Sequence, residues 1–189
     1  MCEDKLQENR TDFSKLEKNI CEIVKEEQIK LGYRKEKIHL YYPLKSLNRL
    51  LRKDCTVREM LSVLEQFIKQ VEEKLGKIEI SNEKERFCFT LPEKTAEYIH
   101  ENYDENLFLT EFIQTVQKHG ISIDDVKKIF LKYSKKVHME KVTHGEFDFL
   151  IYFEDGKPDD FRYCLTDEGG HIIYHRFTVE DYEDFGFSH

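Results

Sequence analysis

"YYPLKSLNRLLRKDCTVREML", residues 41–61, decides how the first half of this chain folds. Pro43 stands where a fixed φ and a missing N–H suit the opening of a helix, and Leu44, Leu47, Leu50 and Leu51 follow at helical spacing. The apolar pattern breaks at "RKDC". Thr56 and Glu59 then form a capping box, and Val57, Met60, Leu61, Leu64, Phe67, Ile68, Val71 and Leu75 continue on one face until Gly76 stops the helix. The stretch predicts a short helix, a tight turn and a long helix.

On the amino-terminal side, Phe13, Leu16, Ile20, Ile23, Val24 and Leu31 share a helical face that starts at Thr11 or Asp12 and stops at Gly32, and "KIHLYY" (37–42) has the composition of a strand. On the other side, Ile78 and Ile80 alternate with polar residues, "SNEKE" supplies a turn, and Phe87, Phe89 and Leu91 alternate on the return. Residues 11–91 therefore run helix, strand, helix, helix, strand, turn, strand. That order resembles a winged helix-turn-helix domain, over less than half of the chain and by element order alone. The resemblance implies a recognition helix at Thr56–Gly76, a wing at 78–91 and a DNA-binding regulator that uses residues 43–91.

Pro92 opens a second series, with helices expected at 92–102, 105–119 and 123–134, the last capped by Ser122 and Asp125. From Val137 the period changes to two. "HMEKV", "EFDFLIYF", "DFRYCL" and "HIIYHRF" are separated by turn residues and predict a four-stranded antiparallel meander, closed by a short helix in "VEDYEDF". The fold class is α+β: a winged-helix-like helical unit with a β-hairpin at 1–91, then at 92–189 helices packed on the meander. Phe147, Phe149, Ile151 and Phe153 are expected on the covered face. Asp148, Leu150 and Tyr152 are left on an open, half-apolar one.

Lys, Glu, Ile, Phe and Tyr are abundant while Ala96 is the single alanine, a composition of an AT-rich, bacterial kind. Five scattered cysteines (Cys2, Cys21, Cys55, Cys88, Cys164) contain no C-x-x-C and indicate neither a disulfide framework nor a zinc ribbon. No apolar run exceeds "FLIYF", and the amino terminus lacks a signal pattern, so a cytoplasmic protein without membrane association is expected.

Residues 33–58 hold Arg34, Lys35, Lys37, Lys45, Arg49, Arg52, Lys53 and Arg58 against Glu36 and Asp54, a net of +6 in a chain whose net charge is −8. Arg34, Lys35, Lys45, Arg49, Arg52, Lys53 and Arg58 are the candidates for contact with nucleic acid or with an acidic protein. Glu59, Glu65, Glu72 and Glu73 on the outer face of the long helix oppose the first of these partners.

His171, His175 and Asp148 are the candidate metal ligands. As a strand, "HIIYH" sets its two histidines about 13 Å apart, too far to share one ion. "DGKPDD" lacks the acid-x-lysine triplet of a metal-dependent nuclease and reads as a turn, and Cys164 reads as a packed residue rather than a nucleophile. No cofactor is expected. The reading that results is a non-catalytic binding protein with an unidentified protein partner. The DNA-binding regulator and a metal-dependent enzyme of unfamiliar type stand as alternatives.

Overall fold

The chain, described over residues 11–143 and 145–183 as a computed structural model, is α+β, with seven helices and two antiparallel sheets among the described residues. Cys2, His144 and the end of the expected carboxy-terminal helix lie outside those residues. Two compact units divide the chain, Met1–Tyr103 and Asp104–His189.

The first unit contains α1 (Ser14–Leu31), β1 (Ile38–Pro43), α2 (Leu44–Leu51), α3 (Val57–Leu75), β2 (Glu79–Glu83), β3 (Arg86–Leu91) and α4 (Glu93–Asn102). Its sheet has the order β1-β3-β2, because β3 alternates buried Phe87, Phe89 and Leu91 with outward residues and pairs on both sides. Leu16, Ile20, Met60, Leu64, Phe67 and Val71 from α1 and α3 meet those aromatics in one core. Pro43 ends β1 and caps α2 with extended backbone. The turn expected over "SNEKE" is shorter in the structure. Ser81 to Glu83 are strand, and only Lys84 and Glu85 turn, with Lys84 at φ 53°.

The sequence reading grouped α4 with the second half, whereas the structure places it in the first unit, and hydrogen bonding explains why. α3 ends in a buried setting, where its last carbonyls need donors. Thr95 Oγ1 donates to Leu75 O at 2.6 Å and Lys94 Nζ to Glu73 O at 2.6 Å. From α1, Gln28 Nε2 donates to Ala96 O and Lys25 Nζ to Tyr103 O. Gly76 makes this junction with φ 79°, and a Cβ there would come within 2.9 Å of Pro92 Cγ.

The second unit contains α5 (Leu107–Val116), α6 (Ile123–Tyr133), β4 (Val137–Lys141), β5 (Phe149–Phe153), β6 (Arg162–Asp167), β7 (Ile172–Phe177) and α7 (Val179–Tyr182). The strands form the expected meander, β4-β5-β6-β7. α5 and α6 cover one face: Phe108 packs edge-on against Phe130, Phe153 and Tyr163, and Phe112 against Tyr163 and Tyr174. Such pairs add about 0.5–1.5 kcal/mol each beyond burial.

Two expectations for the sheet are corrected. Phe147 precedes β5 and turns to the opposite face, where its ring meets His175 and Phe177. That face is also not open at its centre, since Leu150 and Cys164 are 3% and 0% exposed. α7 follows β7 back over it, and Tyr182 comes near enough to Cys164, Glu140, Arg162 and Tyr152 to be influenced by their charges.

Asp159 and Arg176 form a buried ion pair at 2.9 Å, with side chains 1% and 4% exposed. The guanidinium lies 3.7 Å from the centre of the Phe161 ring, and Asp159 also accepts from Phe161 N and Asn106 Nδ2. Removing one partner strands a buried charge. Asp159→Ala is therefore expected to cost about 3–5 kcal/mol in urea unfolding, and Asp159→Leu/Arg176→Met much less. Equal losses in both variants would mean that the apolar contacts, not the charge, hold this corner.

Candidate functional site

The turn between α2 and α3 is fixed by one side chain. Asn48 Nδ2 donates to Cys55 O at 2.9 Å and Asn48 Oδ1 accepts from Cys55 N at 2.8 Å, so a single amide satisfies both polar groups of one backbone residue. Arg52 closes α2 in the left-handed region, φ 51° and ψ 49°, with its N–H on Arg49 O, and Lys53 N donates to Asn48 O. The positive charges of Arg49 and Arg52 suit the carboxyl end of a helix. Asp12 lies near enough to feel Arg52. Its carboxyl is held below the usual range mainly by hydrogen bonds from Ser14, with Arg52 adding to the effect.

The basic residues lie on both sides of β1 in the chain. Arg34, Lys35 and Lys37 precede β1, whereas Lys45, Arg49, Arg52, Lys53 and Arg58 follow it, so the six residues of β1, about 20 Å of extended chain, separate the two groups. Lys35 is engaged by Glu97 of α4 at 2.9 Å. The second group is joined by the hairpin: Leu44 N donates to Glu85 O at 2.7 Å, and the Arg86 guanidinium lies 4.5 Å from the centre of the exposed Tyr41 ring. Lys45, Arg52 and Arg58 are exposed; Arg49 and Lys53 are half-buried.

The outer face of α3 has a different character. Arg58, Ser62, Gln66, Lys69 and Gln70 are exposed beside Glu59, Glu65, Glu72 and Glu73. Lys74 is paired with Glu17 at 2.8 Å. Glu59 is held at the helix start, its Oε2 accepting from both Thr56 N and Thr56 Oγ1 at 2.8 Å. Those two bonds hold its carboxyl below the usual range, so a fixed negative charge stands at the amino end of α3.

In the second unit the candidate metal ligands each have other neighbours. His171 precedes β7 and His175 lies within it, beside Phe147 and Phe177. Asp148 Oδ2 accepts from Asp167 N. Among the described residues no group of three or more His, Cys, Asp or Glu is placed to hold a metal ion. His171 instead meets His119, Nε2 to Nδ1 at 3.0 Å. Sequence reasoning missed His119 because it follows an unrelated helix and lies 52 residues from its partner. Asp159 of "DGKPDD" is occupied by Arg176, and burial pushes the Cys164 thiol up to about 12, as expected of a packed cysteine. Cys21, Cys55, Cys88 and Cys164 are free thiols. No helix among the described residues is long and apolar enough to cross a membrane.

A family model described as "Domain of unknown function, E. rectale Gene description (DUF3877)" matches residues 13–186. No curated protein and no solved structure matches the chain.

The Asn48 clamp is testable apart from any partner. Asn48→Ala leaves the half-buried Cys55 N–H and C=O without their amide, and a loss of about 1–3 kcal/mol is expected in chemical denaturation. Asn48→Asp retains the acceptor for Cys55 N but sets a carboxylate oxygen against Cys55 O, so it should also destabilise the turn. A loss below about 0.5 kcal/mol in Asn48→Ala, the low end of a single net hydrogen bond, would show that the turn holds without the clamp.

Proposed function

The chain belongs to this DUF3877 family of domains of unknown function, and we propose that it acts by binding, through the first unit, to an acidic segment of a partner protein. The first unit takes the winged-helix plan in this reading. Its element order and its β1-β3-β2 sheet support that plan. The docking surface is the cationic corner formed by Lys45, Arg49, Arg52, Lys53 and Arg58, where α2, the clamped turn and the start of α3 meet.

The observation that carries the choice of partner is the locked Glu59 carboxylate. In helix-turn-helix recognition the amino end of the second helix enters the major groove and meets base edges between two phosphate rows. Here that end bears Glu59, with Glu65, Glu72 and Glu73 farther along the same exposed surface. Phosphates repel all four. A flexible acidic peptide can follow α2 and the clamped turn as far as Arg58 and leave the rest of the exposed face of α3 uncovered. The hairpin also differs from a groove-reaching wing, because its two-residue tip is hydrogen-bonded back to α2 and carries Glu83 and Glu85 beside Lys84 and Arg86.

Fluorescence anisotropy separates the two partners. A labelled oligo-glutamate peptide is expected to bind at low salt and to be released as the Debye length shortens. Lys45→Glu/Arg49→Glu/Arg52→Glu should weaken it at least about ten-fold, about 1.4 kcal/mol. A random-sequence duplex should bind more weakly than the peptide at every salt concentration. Tighter, steeply salt-dependent duplex binding would transfer the corner to nucleic acid. Failure of both probes at low salt would remove the docking surface.

A further inference from the structure

Two loops of the second unit are joined through their backbones before their side chains meet. Gly120, after α5, donates its N–H to Gly170 O at 2.9 Å, and the two glycines have φ 74° and 100°. A Cβ on Gly170 would come within 3.4 Å of Gly120 Cα. The second loop is closed on itself as well: Asp167 Oδ1 accepts from Gly169 N at 3.0 Å, and Glu168 N donates to His171 O at 2.9 Å. His119 and His171 each adjoin one of the paired glycines, so their positions are set by backbone geometry rather than by long flexible side chains.

We propose that His119 and His171 form a site for a borderline divalent transition-metal ion, of the Cu2+, Ni2+ and Zn2+ class. Their facing nitrogens, Nδ1 and Nε2, are 3.0 Å apart and the rings stand at 86°. Bonds from imidazole nitrogen to such ions are about 2.0–2.1 Å long, and two of them at angles between about 90° and 109° put the nitrogens roughly 2.9–3.4 Å apart. The observed separation falls in that range. Both rings are exposed, and a rotation about their side-chain bonds is needed to turn the two lone pairs from each other toward one ion. Each imidazole is a ligand in its neutral form, so the proton between the two facing nitrogens moves to the outer nitrogen of its own ring when the ion binds.

The donor set determines which ions fit. Two imidazoles without a converging carboxylate select intermediate ions in the order Cu2+ above Ni2+ and Zn2+, and disfavour Mg2+ and Ca2+, which require oxygen. With no third His, Cys, Asp or Glu converging among the described residues, the remaining coordination positions belong to water or to a donor from another molecule. The ion would staple the α5–α6 loop to the β6–β7 loop. This site uses none of the residues of the cationic corner and does not rest on the binding reading.

The test is a titration of the full chain, first cleared of metal with a chelator, with Ni2+, Zn2+ and Mg2+ in separate calorimetric experiments. One Ni2+ or Zn2+ per chain is expected at this pair, with no heat from Mg2+. His119→Gln and His171→Gln should each weaken Ni2+ binding at least about ten-fold, as expected when one of two nitrogen ligands is lost. His175→Gln should leave it unchanged. With Cu2+, paramagnetic resonance should show coupling to two nitrogens in the wild type and to fewer in either pair variant. The proposal is overturned if both pair variants bind Ni2+ as tightly as the wild type. It is equally overturned if the wild type binds none at roughly millimolar metal.

Discussion

A helix that ends inside a protein leaves carbonyl groups that must find donors, and the first unit is organised around one such end. α3 stops with Leu75 and Gly76 buried, and the first turn of α4 supplies what the missing helical turn would have supplied, through Thr95 and Lys94. This junction fixes the direction of α4, and α4 in turn receives α1 through Gln28. The same requirement operates at the other end of α3, where Asn48 and the Thr56–Glu59 box satisfy the turn and the first N–H groups. α3 is held at both ends by polar bonds and along its length by apolar contacts.

The electrostatic reading of the surface follows from those caps. A capping glutamate stabilises its helix because it is ionised and immobile, and the same two properties make it a poor neighbour for a phosphate row. The basic stretch is interrupted by β1, with Arg34, Lys35 and Lys37 before it and the other five basic residues after it. Lys45 and Arg49 lie on α2, Arg52 and Lys53 on the clamped turn, and Arg58 in the first turn of α3 beside Glu59.

The second unit solves a different problem, the covering of a small sheet by two short helices. Bulky aromatics bridge the distance, and Phe108 alone meets Phe112, Phe130, Tyr133, Phe153 and Tyr163. At the margin of that core, Arg176 and Asp159 neutralise each other rather than reach for solvent. Two loops of this unit are joined by one glycine pair, Gly120 and Gly170, beside which histidines distant in sequence touch.

The elements themselves were legible in the amino-acid sequence, because period and capping are local properties. The capping boxes at Thr56 and Ser122, the leucine spacing of α2 and the alternation of β3 each lie within a few residues of one another, and the structure reproduces them. The shortened hairpin turn, the reversal of Phe147 and the covered centre of the second sheet were not legible, since each depends on what packs against the segment. So does the partner of Asp159, which lies in a turn motif but is decided by an arginine 17 residues on. The candidate sites divide in the same way. Net charge at 33–58 and the separation of His171 from His175 follow from chain order and strand rise alone. The interruption of the basic stretch by β1 and the Thr56–Glu59 box are local in the same sense, whereas the meeting of His119 with His171 was decided by tertiary structure, because it depends on a distance through space between residues 52 apart in the chain.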